Sequence, residues 1–246
     1  MNNIKYSFLL TFLSGLSTLI GYLTIFIKRK NQNKIIASAL AFASGVMICT
    51  SIIDLIPESL KLLKKSLVFP YTIIISFLGI VAGIFLSMII NNYQKEKTSS
   101  LYRIGIISMI TILLHNIPEG IATYLISNIN IKIGINIAIA IAMHNIPEGI
   151  SIAIPIYYST KSKKKAFLYT LIASLAEPLG ALISFIFLKN IINNIMLGIL
   201  FAVIGGIMLE ISLKVLLPST KEYNEKVRVI TFFIIGIFFM IAGLFI

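Results

Sequence analysis

Eight apolar runs, near residues 6–27, 35–56, 67–90, 104–126, 133–158, 166–188, 195–217 and 229–246, take up most of this 246-residue chain. Each is close to the roughly 20 residues an α-helix needs to cross the hydrocarbon of a bilayer. A helix is suited to that medium because it closes its backbone hydrogen bonds within the segment. The predicted fold class is therefore all-α: a polytopic membrane protein with eight transmembrane helices. The connections are short, so residues 1–246 read as one transmembrane domain with no soluble module. Composition agrees, since 58% of residues are hydrophobic and 12% charged, against roughly 25% charge in an average soluble domain. The first run lacks the basic start and small-residue cleavage site of a signal peptide, and Lys28–Lys30 closes it as an anchor. The single cysteine, Cys49, excludes an internal disulfide and any paired-cysteine metal site.

A net charge of +12 raises the question of nucleic acid, but its placement answers otherwise. Lys28, Arg29, Lys30 and Lys34 follow the first run. Lys95, Lys97 and Arg103 lie between the third and fourth, Lys161 and Lys163–Lys165 between the fifth and sixth, and Lys221, Lys226 and Arg228 between the seventh and eighth. Those 14 basic residues share one side, and six (Lys5, Lys61, Lys64, Lys65, Lys132 and Lys189) occupy the other. The excess of basic residues places the odd-numbered loops in the cytoplasm and both termini outside. The expected location is the cell membrane, with the lipid bilayer as a partner and no nucleic acid. Lys163–Lys165 read as a contact to anionic headgroups.

The acids follow the opposite rule. Glu96, Glu222 and Glu225 lie in loops, whereas Asp54, Glu58, Glu119, Glu148, Glu177 and Glu210 lie within or at the ends of apolar runs. An acid at mid-membrane costs about 2.5–3.5 kcal/mol on insertion scales, so each is a candidate for function. Two of them belong to a repeated hexapeptide, HNIPEG, at 115–120 and 144–149, which holds the only two histidines of the chain. Helical spacing puts His115 and Glu119 on one stripe with Asn116 beside them, and His144, Asn145 and Glu148 repeat the pattern. The connection between these two runs is short, so the helices are expected to be antiparallel neighbours. A turn near residues 129–130 would set both histidines about 22 Å of helix rise away, near mid-bilayer. The register of the two glutamates is left open.

Pro118 and Pro147 each remove a helix hydrogen bond, freeing the carbonyls of Leu114 and Met143 beside the histidines. Such carbonyls at membrane depth face protein or a water-lined cavity. Imidazole, amide oxygen and carboxylate without thiolate favour divalent zinc, iron, manganese, cobalt or cadmium and disfavour monovalent copper. Neutral imidazole and ionised carboxylate are needed to bind metal, so uptake should weaken in acid. Two facing stripes could hold two adjacent ions bridged by carboxylates. Three functional classes fit this much: a carrier of divalent metal, an intramembrane zinc enzyme, and a cation channel lined by acids. The enzyme reading lacks an HExxH or serine-centred motif. The channel reading rests on the acids alone.

With both HNIPEG copies in place, and SLAEPLGA at 174–181, the whole chain resembles the ZIP (Zrt/Irt-like) family of divalent-metal transporters, in its bacterial ZupT-like branch. The resemblance implies a binuclear metal centre between helices 4 and 5, with helices 2 and 6 contributing. It implies His115, Asn116 and Glu119 as ligands from helix 4, His144, Asn145 and Glu148 from helix 5, and Glu177 from helix 6 reaching the second metal. Met47, in ASGVMICTS, falls where some members place a methionine near the site. Uptake into the cytoplasm by alternating access, as a homodimer, is implied too, with zinc foremost among the ions. The metal is substrate, and no catalytic cofactor is expected. The chain departs from many eukaryotic members in having no histidine-rich loop between helices 3 and 4.

Three other features carry weaker readings. Asp54 and Glu58, one turn apart around Pro57, either guide cations or are solvated helix-end acids. Glu210 and Lys214, four residues apart, read as an internal salt bridge. Gly79 and Gly83 would permit a close helix contact.

Overall fold

The computed structural model describes residues 2–27, 31–95, 100–188 and 193–243. Lys28–Lys30, Glu96, Lys97 and Lys189, on which part of the charge reading rests, lie outside them. Among the described residues, eight helices are long and apolar enough to cross a membrane. They are α1 (Asn3–Phe26), α2 (Gln32–Lys64), α3 (Phe69–Asn92), α4 (Ser100–Ile129), α5 (Ile131–Thr160), α6 (Lys163–Phe187), α7 (Asn194–Tyr223) and α8 (Lys226–Gly243).

Short polar side chains start several of these helices. Asn31, Asn130, Ser162 and Asn193 each accept a hydrogen bond from a backbone N–H of the first turn, at the heads of α2, α5, α6 and α7. Asn130 is the whole connection between α4 and α5, and it accepts from the N–H groups of both Lys132 and Ile133, at 3.0 and 3.3 Å. A one-residue turn forces the two helices to run antiparallel and side by side. Lys161 ends α5 in a left-handed conformation, φ 54°, which stops the helix two residues before α6 begins.

Helix α2 runs past Pro57 to Lys64. A π-turn at Ser51–Leu55 precedes that proline, and a wider turn lets the backbone adjust to the donor that proline lacks. The same device occurs in α7, where a π-turn at Ile211–Leu216 precedes Pro218. The two helices share a spacing, Met47, Ser51 and Pro57 against Met208, Ser212 and Pro218. Their π-turns thus arise from one local pattern used twice.

The helices pack as two groups. Helices α1, α4, α5 and α6 contact one another, as do α2 with α8 and with α7, and α3 with α7; α2 against α5 and α7 against α4 join the groups. The apolar core at this junction includes Leu40, Met47, Ile107, Ile112, Ile152 and Met208, all buried. Gly79 and Gly83 lie against Ala202 and Val203 of α7, the close contact their spacing permits. The outward faces are apolar: Phe69, Phe77 and Phe85 of α3 are 74, 61 and 64% exposed, an arrangement suited to lipid and not to water.

The expected Glu210–Lys214 pair does not form. Glu210 is buried and accepts a hydrogen bond from the Ser87 hydroxyl of α3 at 2.5 Å, while Lys214 is exposed. Glu210 is held inward by Ser87 of α3 while Lys214, four residues on, extends outward, so the spacing that would allow a pair is not used.

Candidate metal centre

The two HNIPEG copies meet halfway along α4 and α5, and they meet crosswise. His115 Nε2 lies 2.9 Å from Glu148 Oε1, and His144 Nε2 lies 3.4 Å from Glu119 Oε2. Both pairs centre on the Ile131–Lys132 bond, so one antiparallel register satisfies both. Each imidazole is thus partnered by the carboxylate of the other copy. All four side chains are 3% exposed or less. The pairs also lie within electrostatic reach of one another, Glu119 acting on His115 as well as on His144.

Coordinating atoms are left over at this point. His115 Nδ1, His144 Nδ1, Glu148 Oε2, Asn116 Oδ1 and Asn145 Oδ1 are buried and have no hydrogen-bond partner in the protein. Buried polar atoms are almost always satisfied, so five orphans around one pair of motifs mark a place built to receive something. The amide nitrogens explain why the oxygens remain free. Asn116 Nδ2 donates to the Ala173 carbonyl at 3.5 Å, and Asn145 Nδ2 donates to the Ser14 carbonyl at 2.9 Å and to Glu177 Oε1. Among the described residues, no three His, Cys, Asp or Glu side chains converge on a single point. The acids and imidazoles stand as two pairs, and the amide oxygens are the third donor type beside them.

Glu177 is fully buried in α6 and joins this cluster through Asn145. Its other oxygen, Oε2, accepts from the Ser14 hydroxyl of α1. Gly120 and Gly180 make that placement possible. A Cβ on Gly120 would overlap the backbone of Glu177, and one on Gly180 would overlap the Ile117 carbonyl, so α4 and α6 touch backbone to backbone. Sequence reasoning did not single out Ser14. The available signal was a stripe of hydroxyls on α1 at helical spacing, Ser7, Thr11, Ser14 and Thr18, all buried.

The remaining candidates separate. Asp54 lies in the π-turn of α2, half-buried, near enough to His144 and Glu119 for their charges to act on it. Glu58 instead pairs with Lys61 at 2.9 Å at the surface, its side chain 35% exposed. Met47 is fully buried in the apolar core at the junction of the two helix groups. Cys49 is buried as a free thiol beside Val46 and Met240.

The profile of the ZIP zinc transporter family matches residues 4–100 and 91–246, which together take in nearly the whole chain. The chain belongs to the ZIP family. Relatives agree along the same length. A protein of Streptococcus mutans named zinc transporter ZupT is 38% identical, with 97% of this chain and 96% of the relative aligned. ZupT proteins of Clostridium perfringens and Chlorobium luteolum are 37 and 39% identical, each over 99% of this chain and 96 and 98% of the relative. Membership places this ZIP protein among multi-pass membrane transporters and not among enzymes. The zinc-enzyme alternative falls with it.

Proposed function

We propose that this ZIP-family chain imports divalent metal cations, zinc first among them, into the cytoplasm through a two-ion centre between α4 and α5. The observation that carries the reading is the pair of crossed, buried His–Glu contacts ringed by unpartnered nitrogen and oxygen atoms. His115, Asn116 and Glu119 from α4 and His144, Asn145 and Glu148 from α5 supply the ligands. Glu177 reaches the second ion. Asp54 lies on the approach from α2. A cation arriving here replaces two His–Glu hydrogen bonds with metal bonds and gives the orphaned amide and carboxylate oxygens a partner. Zinc is favoured by the donor set and by the names of the relatives. The basic odd-numbered loops orient the chain with both termini outside. The exposed aromatic face of α3 is available to lipid or to a second copy, in keeping with the homodimer the resemblance implies.

Uptake by the purified protein in liposomes, with Zn²⁺, Fe²⁺, Mn²⁺ and Cd²⁺ in competition, tests the reading. Saturable uptake that declines as the outside is acidified is the expected result, because the imidazoles must be neutral and the carboxylates ionised to bind metal. Flux that rises linearly with concentration without saturating would favour a channel instead.

Glu177→Ala is expected to have a milder effect than loss of either HNIPEG glutamate. Glu177 touches the centre from one side and is held by Ser14 and Asn145, so its removal should alter rate or metal preference without stopping uptake. Competition profiles identical to wild type in this variant would remove Glu177 from the pathway.

A further inference from the structure

Helix α4 carries four hydroxyls that depart from the commonest arrangement in the protein. Many buried serines and threonines elsewhere donate back to a carbonyl three or four residues earlier, as Thr11 does to Ser7, Thr50 to Val46 and Thr170 to Ala166, at 2.8–3.0 Å. Ser108, Thr111, Thr123 and Ser127 of α4 are fully buried yet have no partner in the protein. Among the described residues no other span has more than one such hydroxyl. They are not scattered around the helix. Thr111 precedes His115 by four residues and Ser108 precedes it by seven, on the stripe that His115 and Glu119 turn toward α5. The seam is pinned on both sides, since a Cβ at Gly105 would meet Ile156 and one at Gly134 would meet Ser127.

The facing stretch of α5 adds an oxygen. The register set by the crossed pairs brings Thr111 opposite Ser151 and Ile152. Pro155 sits within α5 and has no N–H to offer the Ser151 carbonyl four residues before it. One to two turns from the His–Glu centre, the α4 side of the seam thus carries two unpartnered hydroxyls, and the α5 side a carbonyl relieved of its helix donor.

We infer that Ser108 and Thr111, with the Ser151 carbonyl, form an oxygen-only transit site that takes the divalent cation from the His–Glu centre toward the α4 N-terminal end, the cytoplasmic side. This rests on the metal-import reading above. Neutral hydroxyls and a carbonyl suit such a step, because they replace water around a cation and hold it less firmly than imidazole and carboxylate. Binding at the centre and passage beyond it are then served by different residues.

The test is the double variant Thr111→Val with Ser108→Ala, made in the full chain. Equilibrium binding of Cd²⁺ in detergent and the initial rate of Zn²⁺ uptake into liposomes are measured on the same preparation. Cd²⁺ binding is expected to stay within about twofold of wild type while uptake falls about tenfold or more, the loss of an oxygen contact to a charged group at the barrier. Thr111→Ser, which keeps the hydroxyl, is expected to retain most of the wild-type rate. Unchanged uptake in the double variant overturns the transit site and leaves the metal centre standing. Loss of Cd²⁺ binding along with uptake also overturns it, since the hydroxyls would then serve the centre or the packing. A wild-type protein that binds no Cd²⁺ would remove the metal-centre reading itself.

Discussion

Glu119→Ala and Glu148→Ala are each expected to cut metal uptake by about a hundredfold or more, since even groups that only support a metal ligand cost 10–100-fold when lost. The protein should nonetheless fold and insert. Removing either carboxylate leaves one histidine nitrogen without its partner, a cost of about 1–3 kcal/mol. It also removes an acid whose burial in the membrane costs about 2.5–3.5 kcal/mol on insertion scales. The two effects are of similar size and opposite sign, so stability should change little while transport is lost. Initial Zn²⁺ uptake rates in liposomes, beside gel filtration and thermal unfolding of the same preparations, separate the two. Wild-type rates in both variants would refute the assignment of the crossed pairs as the centre. The crossing adds a sharper expectation. His115 is paired with Glu148, and His144 with Glu119, so His115→Ala should resemble Glu148→Ala more closely than it resembles Glu119→Ala.

That crossing marks where sequence reading stops. Spacing within one repeat puts His115 and Glu119 on a common stripe, but whether they face each other or a neighbour depends on the register between helices. The register follows from a one-residue turn at Asn130, whose length the apolar runs do not define. The runs themselves made the eight helices legible, because membrane thickness demands a minimum length and few charges. Helix ends were less legible. The second apolar run stops near residue 56, yet the helix, with a π-turn ahead of Pro57, continues to Lys64. The Glu210–Lys214 pair did not follow from its four-residue spacing, since Ser87 of α3 takes the Glu210 carboxylate and Lys214 lies exposed. Family resemblance brought Glu177 to the site, but not what holds it there. Ser14 lies 163 residues away in sequence, and only the packing of α1 against α6 brings them together.

The contact between α4 and α6 gives the other large effect. Replacing a helical glycine by alanine ordinarily gains about 0.8–1 kcal/mol, because glycine loses more freedom on folding. Gly120 and Gly180 should reverse that sign. At both, the added methyl meets the backbone of the facing helix and not a side chain that can swing aside. The helices must then separate, and overpacking of this kind costs about 1–3 kcal/mol. Gly243 provides the control, since a Cβ there would touch only the Met143 side chain at ordinary distances of 3.4 Å and beyond. Thermal unfolding in detergent should therefore show Gly120→Ala and Gly180→Ala less stable than wild type, with Gly243→Ala unchanged or slightly more stable. The consequence reaches the centre as well. The atoms that Gly120 would strike belong to the backbone of Glu177, so displacing α6 draws that carboxylate away from Asn145 and Ser14. Gly120→Ala should thus shift metal preference in the direction of Glu177→Ala while also lowering the unfolding temperature, whereas Glu177→Ala alters preference without moving α6. An unfolding temperature for Gly120→Ala at or above that of wild type would mean that α4 and α6 are not in backbone contact at this point.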